Sequence, residues 1–452
     1  MHKRVFIAAG GVLVASIAIG SAAQVASADG SGRSKASDIK NIVVIDLENS
    51  LFTTSFGPGS AATYLNGTLL PQGELIENYF STSHVSQGNY VSQVSGQAST
   101  LSQNNDCINI PTIFAPPTTG YYTDITPGTP APMGQVVGDG CIFPASVKTI
   151  GDQLDRKYRR EREVRYPWRA YMEDMGNDPA RDKGTPDPLG GTTCAHPATG
   201  GAGVDLTNSA AVGDQYATRH NGFMYFHSII DDQARCDQRV VPLGKLTVGT
   251  GGAPDTFTGH LAEDFSRRST TPKFSIISPN LCNDAHDATC KDIDVEGGSA
   301  GGLAAGDLWL KHWIPMMMNT PSYRAGEMLI VITFDEAGFS DARACCGAAF
   351  GPNNDNPGFS PLLALFHVQT TPTTPGVYPG GGQVGAVLLN KKYIVPGTRN
   401  TTGQYNHYSA LRSYEDLLGI EEGGSDGRGH LGLAGAPGLA PFGRDVFNRR
   451  GD

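Results

Sequence analysis

The chain has 452 residues and carries 34 Lys and Arg against 44 Asp and Glu, a formal net charge of −10. That sign argues against a nucleic-acid partner, whose phosphates call for clustered cations, and leaves room only for a local basic patch against anionic lipid headgroups. No stretch beyond the first residues approaches the ~20 consecutive apolar residues of a membrane span, so no transmembrane anchor is expected.

At the start, His2, Lys3 and Arg4 precede an apolar run from Val5 to Ile19, and Ala26-Ser27-Ala28 stands before Asp29. This is the pattern of a secretory signal peptide over residues 1–28, with a mature, secreted chain beginning near Asp29. Its balance would be 32 basic against 44 acidic residues, or −12. Residues 29–452 read as a single domain, because α/β enzymes with large insertions reach this length on one core. Eight cysteines, all after the leader, favour disulfides in an exported chain. Pairing of neighbours (Cys107 with Cys141, Cys194 with Cys236, Cys282 with Cys290) is the simplest arrangement. Cys345 and Cys346 are left to a strained vicinal bridge or to separate partners, and a thiolate metal site is the alternative.

Short apolar, β-branched runs occur at Ile42–Ile45, Phe274–Ile277, Leu329–Ile332 and Val384–Leu389. Runs that are apolar on both faces suit the middle of a covered parallel sheet. Helical spacing appears over Ser146–Tyr158, Leu303–Asn319 and Tyr408–Leu418. Gly- and Pro-rich segments at 111–140, 176–203 and 347–382 read as long loop insertions. Strands alternating with helices predict an α/β layered fold with a mainly parallel sheet.

The residues just past the strands carry the functional reading, since ligand sites in open α/β sheets gather at the carboxyl ends of strands. The first run leads into Glu48-Asn49, the second into Asn283-Asp284-Ala285-His286-Asp287, and the third into Asp335-Glu336. Glu48, Asn49, Asp335 and Glu336 form a hard-oxygen set suited to a divalent ion such as Mg²⁺, Ca²⁺ or Mn²⁺. A lone acidic residue after a strand is usually a cap or a solvated group. Acidic groups at two strand ends point instead to a cation, because gathering negative charge at one edge is costly. Asp284 and His286 are expected on one side of a short extended stretch. His220 and His407 each sit beside an Asn, where a structural donor is the ordinary role. Ser86, in Ser83-His84-Val85-Ser86-Gln87-Gly88-Asn89-Tyr90, stands where small polar residues lead into a helix. A helix start favours a phosphoryl group, but a serine attacks only with a base or a metal beside it.

Taken in order, these segments resemble the bacterial phosphoesterase family that holds phosphatidylcholine-type phospholipases C and secreted acid phosphatases, with most similarity to the phosphatidylinositol-3-phosphatase type. The resemblance rests on Ile42–Asn49, His84–Gly96, Tyr171–Asp174, His220-Asn221, Pro279–Asp287, Thr333–Glu336 and Tyr405–Gly419. Val85 and Gln87-Gly88 depart from the family's prolines and leucine around the serine. The resemblance implies an alkaline-phosphatase-like sandwich with a metal held by Glu48, Asn49, Asp335 and Glu336. It implies Ser86 as the nucleophile of a phosphoserine intermediate, with His84 and Asn89 on phosphate oxygens. His220, Asp284, His286 and His407 would contact phosphate, support other groups or protonate the leaving alcohol. The substrate implied is a phosphorylated small molecule or a phosphoinositide, cut as a monoester. A phospholipase C acting on a diester and a non-catalytic exported protein with a structural Ca²⁺ are the competing readings. A sulfatase is disfavoured, because no Cys-x-Pro-x-Arg segment is present.

Overall fold

The computed structural model describes residues 36–108, 120–161, 164–199, 203–287, 289–292, 294–346, 351–360 and 379–449. The expected leader at 1–28 lies outside them, as do residues 361–378 of the third predicted insertion. All described residues belong to one unit, Ser34–Asp452.

The frame is an eight-stranded sheet. Its strands are β1 (Asn41–Leu47), β2 (Glu74–Ile76), β3 (Trp168–Met172), β4 (Val240–Pro242), β5 (Phe274–Ser278), β6 (Met328–Phe334), β7 (Ala386–Leu389) and β8 (Thr398–Asn400). The spatial order is β8-β2-β7-β6-β1-β5-β3-β4. β1 lies between β6 and β5, parallel to both, and β3 and β4 continue the parallel set. Every residue of β1 and β6 is buried, so both faces of the sheet centre are covered, as their unbroken Val, Ile and Leu runs require. The α/β class and the mainly parallel sheet expected from the sequence are present.

One strand departs from that expectation. β7, within the run read as parallel, pairs antiparallel with β6 and with β2. An apolar run encodes burial on both faces but carries no information about direction. The strands β8 and β2 towards one edge, and β3 and β4 towards the other, are short and less uniformly apolar than the four runs picked out by hydropathy.

The helices that position the site are α1 (Ser86–Ser95), α2 (Ile150–Tyr158), α3 (Gly302–Met318) and α4 (His407–Leu417). The last three match the predicted helical segments within a few residues. A capping box at α2, where Thr149 and Asp152 satisfy each other's backbone N–H groups, explains why it starts at Ile150 rather than Ser146. α1 is buried along its whole length and ends at Gly96, whose φ of 67° lies in the left-handed region that favours glycine.

The three neighbouring disulfides form as expected, Cys107–Cys141, Cys194–Cys236 and Cys282–Cys290, and Cys345 bonds to Cys346. Among the described residues no helix is long and apolar enough to cross a membrane.

Candidate active site

The parallel register puts Leu47 beside Phe334, so the next residues of β1 and β6 emerge together at one edge. The Asn49 N–H donates to Asp335 Oδ1 at 3.0 Å, and Asn49 Nδ2 donates to Glu336 Oε1 at 2.6 Å. The third strand end joins through the Glu48 N–H, which donates to the Asp284 carbonyl at 2.6 Å. Glu48, Asp335, Glu336 and Asp284 are all at most 1% exposed. Two oxygens in this group, Asn49 Oδ1 and Asp335 Oδ2, are buried without a hydrogen-bond partner, and so is Asp284 Oδ2. Burial pushes the Glu48 carboxyl well up, helped by the charge of Asp284. It does the same to Asp335, helped by Glu48. Buried carboxylates that raise one another, with unpartnered oxygens among them, could hold a hard cation.

Ser86 is the first residue of α1, and its Oγ donates to Glu48 Oε2 at 2.7 Å. Glu48 Oε1 accepts from the Tyr90 hydroxyl at 2.6 Å, one helical turn along. Sequence reasoning placed Ser86 here but did not weigh Tyr90, although Tyr90 stands in the quoted motif at the i+4 spacing that puts it on the face of Ser86.

The histidines separate by what their nitrogens touch. His220 is buried and stacked on Tyr90, ring centroids 5.3 Å apart. Its Nε2 lies 3.3 Å from Glu48 Oε1, yet neither ring nitrogen has an aligned hydrogen-bond partner. Burial and the adjacent Arg219 charge hold its pKa well down, so it is a neutral imidazole facing the carboxylates. His286 sits at the rim with its side chain 39% exposed and its Nδ1 3.1 Å from Asp287 Oδ1. Desolvation opposes its protonation, but the Asp287 hydrogen bond and charge prevail and raise its pKa.

Three expectations need correction. Asn89 does not face a substrate: its Oδ1 accepts from Thr82 and Ser83 N–H groups, and its Nδ2 donates to the Ser83 carbonyl at 2.8 Å. It fixes the loop that delivers Ser86. His84 is also fully engaged, with Nδ1 against Glu336 Oε2 and Nε2 donating to the Asp341 carbonyl at 3.0 Å. With acceptors at both nitrogens it is held as a cation against Glu336, whose charge outweighs the burial that opposes it. His407, by contrast, takes the structural-donor role expected beside its Asn: as the first residue of α4 it donates from Nε2 to the Asp335 carbonyl at 2.7 Å and accepts at Nδ1 from the Tyr79 hydroxyl at 3.1 Å. Burial lowers its pKa to about 4, so it anchors the backbone behind Asp335. Lastly, Asp284 to Asp287 is a tight turn rather than an extended stretch. Ala285 has φ 83°, and Asp284 Oδ1 accepts from the His286 and Asp287 N–H groups at 2.9 Å each.

Residues missed in the sequence complete the setting. Arg219, beside His220, donates to Asp287 Oδ2 at 2.5 Å. Burial works against ionisation of Asp287, but the guanidinium holds its carboxyl well below the usual range. Asp106 accepts from the Gln87 N–H at 2.9 Å and lies 3.7 Å from Arg219. Burial pushes it up to about 7 against the pull of that arginine. Adjacency of Arg219 to a flagged histidine was the only available signal. Nothing in the local pattern marks Asp106.

A buried serine hydroxyl at a helix start, set among carboxylates at the carboxyl ends of parallel strands, defines a layered α/β protein with one polar centre at the sheet edge. This chain belongs to the Phosphoesterase family, whose model matches residues 60–421. It is 24% identical over 270 residues to an acid phosphatase of Aspergillus fumigatus, covering 60% of this chain and 40% of that protein. It is 26% identical over 295 residues to a phosphate-repressible acid phosphatase of Penicillium chrysogenum, covering 65% and 47%. The chain thus spans less than half the length of these relatives. Among solved structures it aligns with the lipoteichoic acid synthase LtaP from Listeria monocytogenes at 11% identity, over 92% of this chain and 77% of that one, with TM-score 0.43. It also aligns with a Vibrio parahaemolyticus protein in the alkaline phosphatase superfamily at 12% identity, over 84% and 66%, with TM-score 0.39.

Proposed function

We propose that the protein is a secreted, metal-dependent acid phosphatase that cleaves phosphate monoesters through a phosphoserine on Ser86, in an alkaline-phosphatase-like frame. The observation that carries this reading is the Ser86 hydroxyl 2.7 Å from Glu48, inside a carboxylate group with the unpartnered oxygens of Asn49 and Asp335. Glu48, Asn49, Asp335 and Glu336 would hold Mg²⁺, Ca²⁺ or Mn²⁺, ions that accept an all-oxygen set. A bound divalent ion supplies neutralisation of the phosphoryl oxygens, worth several kcal/mol in the transition state.

The chain's own groups do the rest. Ser86 Oγ forms its bond to phosphorus as the bond to the leaving alcohol oxygen breaks, and the hydroxyl proton passes to Glu48 Oε2, which it already faces. The leaving oxygen takes a proton from an acid. Of the histidines expected there, His84 and His407 have both nitrogens engaged and His220 is held neutral, which leaves the rim imidazolium of His286. A water then attacks the phosphorus and gives a proton to His286 as the bond from phosphorus to Ser86 Oγ breaks; Ser86 takes back the proton held by Glu48, and inorganic phosphate leaves. An acid that must be protonated favours turnover on the acidic side of neutrality.

A phosphoinositide, in particular phosphatidylinositol 3-phosphate, is the substrate that the family resemblance favours, with a small phosphorylated molecule as the simpler case. The deciding experiment assays the purified protein on p-nitrophenyl phosphate and on a phosphodiester, with and without chelator. Chelator-sensitive release of inorganic phosphate from the monoester is expected. A phosphorylated headgroup released from the diester would identify a phospholipase C instead, and metal binding without turnover would identify a binding protein.

A further inference from the structure

The N-terminus of α1 lacks a local cap. Val85, at the N-cap position, offers no side-chain hydrogen bond, so the free N–H groups of the first turn must find partners elsewhere. One partner is Asp106, whose Oδ1 accepts from the N–H of Gln87, the residue after the serine, at 2.9 Å. Asp106 is held in turn. Its φ is 51°, and the adjacent Cys107 is bonded to Cys141. Its other oxygen lies 3.7 Å from Arg219 Nε. The same guanidinium donates to the Asn208 carbonyl at 3.1 Å and to Asp287 Oδ2 at 2.5 Å. The Asp287 N–H is fixed on Asp284 Oδ1, and the Asp284 carbonyl accepts from the Glu48 N–H. These contacts run without a gap from the serine's helix to the turn carrying Asp284 and His286, and on to the β1 strand end. Arg219 is 7% exposed and spans the two sides of the site.

We propose that Asp106 and Arg219 are positioning residues, which lock the start of the nucleophile helix to the 284–287 turn so that Ser86 and the opposing acid stay in line. This inference rests on the phosphoserine reading. Neither residue is asked to touch substrate. The hydrogen bond to Gln87 survives protonation of Asp106, because a neutral carboxyl keeps an acceptor oxygen.

The test is the pre-steady-state burst of p-nitrophenol from p-nitrophenyl phosphate, measured on the metal-supplied full protein, with KM and melting temperature alongside. A misplacement on the ångström scale costs about 10²-fold in rate. Asp106→Ala and Arg219→Gln should therefore each slow the burst about 10- to 100-fold, with burst amplitude and KM held within about twofold. Asp106→Asn keeps an acceptor oxygen and should recover at least half of the loss on a logarithmic scale. The double variant should be no slower than the slower single one, because both act on one linkage. The proposal is overturned if Asp106→Ala and Arg219→Gln keep the wild-type burst, if KM rises while the burst rate holds, or if Asp106→Asn is as slow as Asp106→Ala at an unchanged melting temperature. Ser86→Ala separates the two levels. If it retains the burst, the phosphoserine reading fails and takes this one with it. If it abolishes the burst while the Asp106 and Arg219 variants are normal, only the positioning role falls.

Discussion

Ser86 exposes only 5% of its surface and owes its orientation to a single side-chain acceptor, Glu48. Its removal should therefore cost chemistry and little stability: Ser86→Ala is expected to lower phosphate release by at least about 10³-fold at unchanged circular dichroism, the scale on which nucleophile deletions act. A near-wild-type rate would mean that the wrong hydroxyl has been assigned. Asp335 and Glu48 allow a second test, since each can be replaced by its amide without a change in size. Asp335→Asn and Glu48→Gln should each weaken equilibrium metal binding by at least about 10-fold; excess metal should partly restore activity to Asp335→Asn but not to Glu48→Gln, which also loses the acceptor of the Ser86 proton. If both bind metal as the wild type does, the two strand ends do not share an ion. Away from the site, Glu74 is 1% exposed at the start of β2, with Oε2 accepting from Asn448 Nδ2 at 2.9 Å. Burial, and then the Asp445 charge, push its pKa up to about 8. An unfolded Glu titrates near ~4.3, so between the two values the folded state binds the extra proton. Stability from this group is complete below about 4.3 and is lost as pH rises through about 8. Glu74→Gln should flatten the decline of the melting temperature across that window, and an unchanged slope would show that Glu74 is ionised in the folded state.

At the scale of elements, α2 lies on β3 through Gly151 and Trp168. A Cβ built at position 151 would meet the Trp168 ring at 2.6 Å, and Trp168 is fully buried with its Nε1 donating to Asp155 at 2.8 Å. In a free helix Gly→Ala gains about 1 kcal/mol. Here the overpacking term of about 1–3 kcal/mol works against it. Gly151→Ala is expected to lower stability in urea titrations, and a net gain would mean that the indole moves aside freely. The same elements show how far pattern carries. Apolar periodicity located β1, β5, β6 and the helices α2, α3 and α4, because the strands are buried throughout and each helix buries one face. It did not locate β3, whose Arg169 and Tyr171 are polar by pattern but are satisfied in place by Asp264.

For the whole molecule, closure of loops matters alongside the sheet. The Cys107–Cys141 bridge closes a separation of 34 residues, and in the chain-entropy account such a loop restrains the unfolded state by about 3–4 kcal/mol. Replacing both cysteines with serine should lower unfolding free energy by about that amount, read from urea midpoints at constant m. A negligible change would place the bridge in a segment that unfolds separately.

Sequence alone determined the α/β class and the strand ends that carry Glu48-Asn49, Asp284–Asp287 and Asp335-Glu336, and it pointed to a helix start near Ser86 and to disulfides between neighbouring cysteines. Each of these is a local property: burial on both faces, a residue's place after a strand, or the proximity of two cysteines along the chain. Tertiary structure alone decided the reversal of β7, the engagement of Asn89, His84 and His407, the neutrality of His220 and the entry of Tyr90, Asp106 and Arg219. A histidine's role depends on which acceptors reach its two nitrogens, and those of His84 come from Glu336 and Asp341, more than 250 residues away. The imidazole is the same in sequence whether it grips a carboxylate, anchors a carbonyl or faces an open site, and only the folded chain brings up the partner that decides between them.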